Sequence, residues 1–211
     1  MRLGMVLAWV IVLAAFVAGA MFWEQLPEEM ASHWNIRGEV DGWMPKFWGV
    51  LLIPLVLVGL VLLFEAIPRI DPLKRNVKAF QRWYEVLLVI ICLFMLLIHL
   101  QVLLWGAGLE VSFLFTIPIG IGILFFAVGM IFTKTKRNWF VGIRTPWTLS
   151  SDVVWEKTHK LGGRLFMACG LIALAGAVFQ EHMLWLILIP IIASAVVLTV
   201  YSYFEYRKEK R

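Results

Sequence analysis

Residues 85–106 read EVLLVIICLFMLLIHLQVLLWG, and Glu85, His99 and Gln101 are the polar side chains in that run. At about 1.5 Å per residue a helix of this length covers about 33 Å, enough to cross a hydrocarbon core of about 30 Å. The run is apolar on every side, whereas a surface helix of a soluble domain carries a polar face. Five more stretches share this character, at about 3–23, 47–67, 111–132, 161–179 and 183–204. Inside a bilayer no water reaches the backbone, so each stretch must bond internally as a helix. Pro54, Pro118 and Pro190 fall within these runs. Membrane helices tolerate such prolines and kink at them. The expected fold is an all-α integral membrane protein with six transmembrane helices. Composition agrees: 62% of the 211 residues are hydrophobic, against about 45–50% in ordinary soluble domains.

Charge orients the spans. If the N-terminus is inside, 17 of the 19 lysines and arginines lie on the cytoplasmic side, from Arg2 through the 69–82 and 134–164 segments to Arg211. Only Arg37 and Lys46 are outside. The outer face then carries a net −5 and the inner side +10. The positive-inside rule places both termini in the cytoplasm, and the expected location is a bacterial inner membrane. A rival reading takes the first block, with Ala18-Gly19-Ala20, as a cleaved signal peptide. The apolar run continues through Met21-Phe22-Trp23, longer than such a segment requires. Cys92 and Cys169 both lie in apolar runs and read as small core residues.

Two loops exceed what a connection needs, and long loops are often functional. They divide the chain into a two-span unit, 1–68, with an outer loop at 24–46, and a four-span unit, 69–211, with an inner loop at 133–163. In the outer loop Gly38 and Gly42 permit turns, and His33, Asn35, Asp41 and Lys46 supply polar groups. The loop is either a packed cap or an outer binding site. A metal held by His33 with Glu29 or Asp41 is conceivable, but one histidine makes no ligand motif, so no metal or cofactor is expected.

The inner loop opens with Lys134, Lys136 and Arg137, a cluster suited to anionic lipid headgroups. Pro146 forces Thr145 away from helical geometry. Ser150 or Ser151 can then cap a short interfacial helix, with Asp152 in its first turn, that leads through Gly162-Gly163 into the fifth span. On that helix Trp155, Thr158, His159 and Gly162 share one face, and Glu156 and Lys160 can pair on another. His159 reads either as a base or as a ring anchored by hydrogen bonds. Arg144, beside Thr145 and Thr148, either holds a phosphate or carboxylate or bonds helix carbonyls within the bundle. Within the spans, His99 and Gln101 either line a pathway or bond between helices. Small-residue spacings at Ala14, Ala15, Ala18 and Gly19, and at Ala173 and Ala177, favour close helix packing.

The inner stretch NWFVGIRTPWTLSSDVVWEKTHKLGG, residues 138–163, resembles the signature of the SdpI family of bacterial membrane proteins, commonly N-x-x-x-G-I-R-T-P-W-T…W-x-x-T-H…G. The matching positions are Asn138, Gly142, Ile143, Arg144, Thr145, Pro146, Trp147, Thr148, Trp155, Thr158, His159 and Gly162. The outer stretch LPEEMASHWNIRGEVDGWMPK is similar to a small domain of unknown function that often precedes that signature. His33, Asn35, Gly38, Asp41 and Lys46 fit it, while Ala31 stands where a second proline is common. The resemblance implies a six-span immunity and signalling protein that protects the cell from a secreted toxin peptide and recruits a cytoplasmic transcriptional repressor. It implies no catalysis and no direct contact with nucleic acid. Two other classes stay open. One is a membrane enzyme acting on a lipid or cell-wall precursor phosphate through Arg144 and His159, though no nucleophile or metal-ligand cluster supports it. The other is a small transporter using His99 and Gln101.

Overall fold

The computed structural model describes residues 3–210. Arg2 and Arg211, counted above among the inner cations, lie outside the described residues. The chain is built on long helices: α1 (Leu3–Phe22), α2 (Lys46–Ile70), α4 (Gln81–Gly106), α5 (Phe113–Phe132), α7 (Asp152–Ala175) and α8 (Met183–Glu209). Short helices α3 (Lys74–Ala79) and α6 (Pro146–Ser150) lie in the connections. Strands β1 (Glu29–Trp34) and β2 (Val40–Pro45) pair antiparallel. Chain reversal places the strand pair with the α4–α5 and α7–α8 links at one end of the bundle, the hairpin end. The 133–151 segment and the C-terminal end of α8 lie at the other, the signature end.

Among the described residues five segments are long and apolar enough to cross a membrane: Leu3–Gln25, Lys46–Ile70, Gln81–Gly106, Phe113–Phe132 and Gln180–Glu209. They match the expected runs to within a few residues. Helix α7 is of another kind. A separate interfacial helix followed by a span at 161–179 is expected from the sequence, but Asp152 to Ala175 form one unbroken helix. Asp152, Glu156, Lys157, Lys160 and Arg164 fall within its first thirteen residues, and the rest, Leu165 to Ala175, is apolar. Gly162 and Gly163 do not interrupt it, because neighbours fill their bare surface. Ile143 packs on Gly162, and the Gly129 carbonyl packs on Gly163. The short interfacial element in this region is α6, which Thr145 and Thr148 close with a reciprocal capping box and Pro146 starts.

Turns at Gly38 and Gly42 are expected in the outer loop; strands are not. The ladder runs Glu29–Pro45, Met30–Met44, Ala31–Trp43, His33–Gly42 and Trp34–Val40, with irregularities on either side of His33. These bulges break the two-residue alternation by which a strand announces itself.

Helices α1, α2 and α4 share a core of Ala8, Val12 and Ala15 with Leu57 and Val61, and with Tyr84, Leu88 and Cys92. The Tyr84 hydroxyl donates to the Phe64 carbonyl at 2.9 Å. Helix α7 packs between α5 and α8. The α5–α7 contact is a glycine seam. A Cβ on Gly129 would lie 2.6 Å from the Gly163 carbonyl oxygen, and one on Gly163 would lie 2.7 Å from that of Gly129. Gly122 and Gly170 repeat the arrangement one heptad along, at 2.9 and 2.6 Å. Lipid is as apolar as a helix surface, so helices in a membrane associate by such close backbone approach.

Gly163→Val is therefore expected to lower stability by about 1–3 kcal/mol, the usual cost of overpacking. Gly59, which has open space where a Cβ would stand, serves as control. Gly59→Ala should leave stability unchanged or raise it by about 0.5–1 kcal/mol. Thermal unfolding of the detergent-solubilised protein checks both.

Candidate functional site

The signature folds on itself around buried polar side chains, Asn138, Thr148 and His159 among them. Asn138 is fully buried. Its amide donates to the carbonyls of Lys136 and Val141, both at 2.8 Å, and its oxygen accepts the N–H groups of Phe140 and Val141 at 2.9 and 2.7 Å. No polar atom of the side chain is left unbonded. Gly142 follows with φ +122°, a conformation L side chains rarely adopt, and a Cβ there would clash with His159 Nε2. This lets the backbone turn directly over the ring, so that the Ile143 N–H donates to Nε2 at 2.9 Å. The other ring nitrogen, Nδ1, lies 2.8 Å from the Trp155 carbonyl. A carbonyl only accepts, so Nδ1 carries the proton and Nε2 the lone pair.

His159 is thus held as one neutral tautomer. Burial pushes its pKa from the ordinary 6.5 down to about 4, opposed only in part by the bond to Trp155. Trp155 stacks on the ring with centroids 4.0 Å apart, and Phe132 meets it edge-on at 5.5 Å. The arrangement leaves neither a free lone pair nor a free proton on His159 for a substrate. Arg144 is exposed, and its Nη1 donates to the Trp139 carbonyl at 2.7 Å, a loop carbonyl rather than a helix end. Thr148 donates to the Ile143 carbonyl at 2.8 Å, and Thr145 meets Ser202 of α8 at 3.0 Å. Trp147 packs edge-on against Tyr203. Thr158 and Gly162 are buried on the His159 face, as their spacing predicts, and Ser151 is the residue that caps α7. No ion pair joins Glu156 and Lys160 among the described residues. Three partners were not singled out in the sequence. Asp71 accepts the Trp139 N–H at 3.0 Å, Asn76 donates to the Arg137 carbonyl at 2.8 Å, and Thr135 accepts from the Trp155 indole at 3.3 Å. Asp71 had a signal: an aspartate directly before Pro72 is a turn-starting pair.

At the hairpin end the predicted residues also gather. Asn35 accepts the N–H groups of Arg37 and Glu39 at 2.8 and 3.1 Å, and Gly38 turns the chain at φ +77°. His33 Nδ1 lies 2.5 Å from Asp41 Oδ1 across the strands. Lys46 Nζ sits 4.8 Å over the Trp23 ring and 3.9 Å from Glu28, pinning the hairpin base to the turn that follows α1. Trp34 stacks on Phe113 at 3.8 Å. Beneath the hairpin lies a mostly apolar cavity of about 350 Å³, bounded by Trp34, Met44, Leu52, Ile98, Leu114 and Ile117. His99 and Gln101 make bonds between helices. His99 Nε2 donates to the Ala15 carbonyl at 3.1 Å, and Gln101 receives Thr116 Oγ1 at 2.5 Å and donates to Val111 at 3.0 Å. Among the described residues no cluster of three metal-ligating side chains forms.

The pKa of His159 sets a pH dependence. Above about 6.5 the ring is neutral both folded and unfolded, and contributes no slope. Between 6.5 and about 4 the unfolded chain binds a proton that the folded chain refuses, so stability falls as pH falls. His159→Gln removes this component. The wild-type minus variant difference in thermal stability is expected to be constant above pH 7 and to shrink from pH 6.5 towards 4. A pH-independent difference would contradict the buried neutral ring.

Residues 134–202 match the SdpI/YfhL protein family, and residues 10–58 match a domain of unknown function, DUF1648. The first match covers the signature, α7 and most of α8; the second covers most of α1, the hairpin and the first half of α2. The chain is similar to "Immunity protein SdpI" of Bacillus subtilis (strain 168), with 24% identity over 204 residues and 96% of each chain covered. No solved structure matches. The two segments follow one another as the sequence motifs anticipate, and the chain is similar to the SdpI family through its C-terminal third and to this immunity protein along nearly its whole length.

Proposed function

We propose that this protein is a six-span immunity and signalling protein of a bacterial inner membrane, with the hairpin end outside and the signature end in the cytoplasm. On this reading it binds a secreted cationic, amphipathic toxin peptide at the hairpin end and docks a cytoplasmic transcriptional repressor at the signature end. The observation that carries it is the apolar cavity under the hairpin, at the end of the chain whose 24–46 loop carries Glu24, Glu28, Glu29, Glu39 and Asp41. Acidic surroundings concentrate a cationic peptide, and the cavity accepts one of its apolar side chains. The relation to a protein named for immunity supports the same role.

Helix α5 supplies a route between the ends. Its first turns, at Leu114 and Ile117, bound the cavity, and its last residue, Phe132, touches His159. The glycine seam locks it to α7 along the way. A peptide wedged at Ile117 shifts this pair only if it binds one helix arrangement better than another. At the far end the exposed Trp139 and Arg144 offer a docking surface for the repressor.

Expression in a peptide-sensitive bacterium tests the reading. The wild-type chain should raise survival against a cationic amphipathic toxin. Ile117→Trp, which fills the cavity, should cut protection at equal membrane abundance by at least about tenfold, the equivalent of about 1.4 kcal/mol of binding. No protection by the wild type against any such peptide would overturn immunity. Undiminished protection by Ile117→Trp would overturn the cavity as its site.

A further inference from the structure

A second cavity lies at the opposite end of the molecule. Between the end of α5, the 133–137 turn and the first half of α7 is a cleft of about 850 Å³. It shares Trp155 and His159 with the signature, but none of residues 138–148 lines it. Its floor is apolar, formed by Phe132, Trp155 and Met167. Its rim carries Lys134, Lys136, Arg137, Lys160 and Arg164 against Asp152 and Glu156. Arg137 is already engaged, donating from Nε to Asp152 and from Nη1 to the Leu149 carbonyl, each at 2.8 Å. Among the described residues no ion pair engages Lys134, Lys136, Lys160 or Arg164. Four cations therefore surround one cleft with a single uncommitted carboxylate, Glu156, among them.

Like charges held together around a concave surface favour an anion between them. The apolar floor narrows its chemistry. Met167 and Phe132 lie where the charged half of α7 and the polar turn give way to apolar helix, the level of a lipid's glycerol and first methylenes. An arginine with neighbouring lysines suits the oxygens of a phosphate. We propose that this cleft binds the phosphate group of an anionic glycerophospholipid, with Lys160 and Arg164 on the headgroup and the start of the acyl chains on Phe132 and Met167. The site is independent of the peptide cavity and of the immunity reading. A lipid there braces α5 against α7 at the end where His159 sits.

The test uses the full chain in zwitterionic detergent micelles and reads bound lipid by native mass spectrometry. The arms are phosphatidylglycerol, phosphatidylcholine and inorganic phosphate. Phosphatidylglycerol should stay bound, phosphatidylcholine should not, and millimolar phosphate should not displace the lipid. Lys160→Gln with Arg164→Gln should weaken phosphatidylglycerol binding by roughly thirtyfold, since each cation at an anionic lipid surface contributes about fivefold. Arg207→Gln with Lys210→Gln removes the same charge from the end of α8 and should leave binding unchanged. If the first pair fails to fold, Lys134→Gln with Lys136→Gln, both exposed on the turn, carries the same expectation. Equal weakening by the rim and α8 variants would overturn the site as mere surface attraction. Displacement by inorganic phosphate would overturn the lipid in favour of a soluble anion.

Discussion

Placing a lysine or an aspartate at the centre of a bilayer costs about 2.5–3.5 kcal/mol even by lenient scales. That cost sorts this chain. Charged residues are confined to the two ends of the bundle, and the long helices between them bury their backbone groups in their own hydrogen bonds. Two polar side chains that enter the bundle are bonded to a neighbouring helix, His99 to α1 and Gln101 to α5. With no water to expel between them, the helices meet through shape, and the glycine seam of α5 and α7 is where they approach most closely.

The two ends solve the same problem with different materials. At the hairpin end, Asn35 and Gly38 close a turn, Lys46 fastens its base and Trp34 stacks on Phe113, leaving an apolar cavity underneath. At the signature end, the chain is tied by backbone groups to buried side chains: Asn138 to its own loop, Asp71 to Trp139 and His159 to Ile143. Gly142 is the position where this depends on having no side chain, since the ring of His159 occupies the space. The motif residues thus form one interlocked structure, in which asparagine, glycine, threonine and histidine each bond to or pack against another part of the chain.

The apolar runs were plainly legible, because twenty residues without charge have few other readings. Both candidate regions were legible as well, since polar and turn-forming residues in long loops stand out against such a background. What escaped was set by tertiary contact. The strands were hidden by bulges around His33. The continuity of α7 was hidden because Gly162-Gly163 reads as a joint until Ile143 and Gly129 are seen filling it. The partner of His159 is a backbone N–H sixteen residues away, which no side-chain pattern records. The α5–α7 seam has a signal in the heptad spacing of Gly122 with Gly129 and of Gly163 with Gly170.

Orientation is the claim on which peptide capture outside and partner docking inside both rest. Cys92 and Cys169 are buried, so a single introduced cysteine can be read against a low background. Glu39→Cys on the hairpin turn and Lys136→Cys on the signature side, each probed in living bacteria with a membrane-impermeant maleimide, give the direct measurement. The first should label in intact cells and the second only after permeabilisation. Labelling of the Lys136→Cys protein in intact cells, with the Glu39→Cys protein protected, would contradict it.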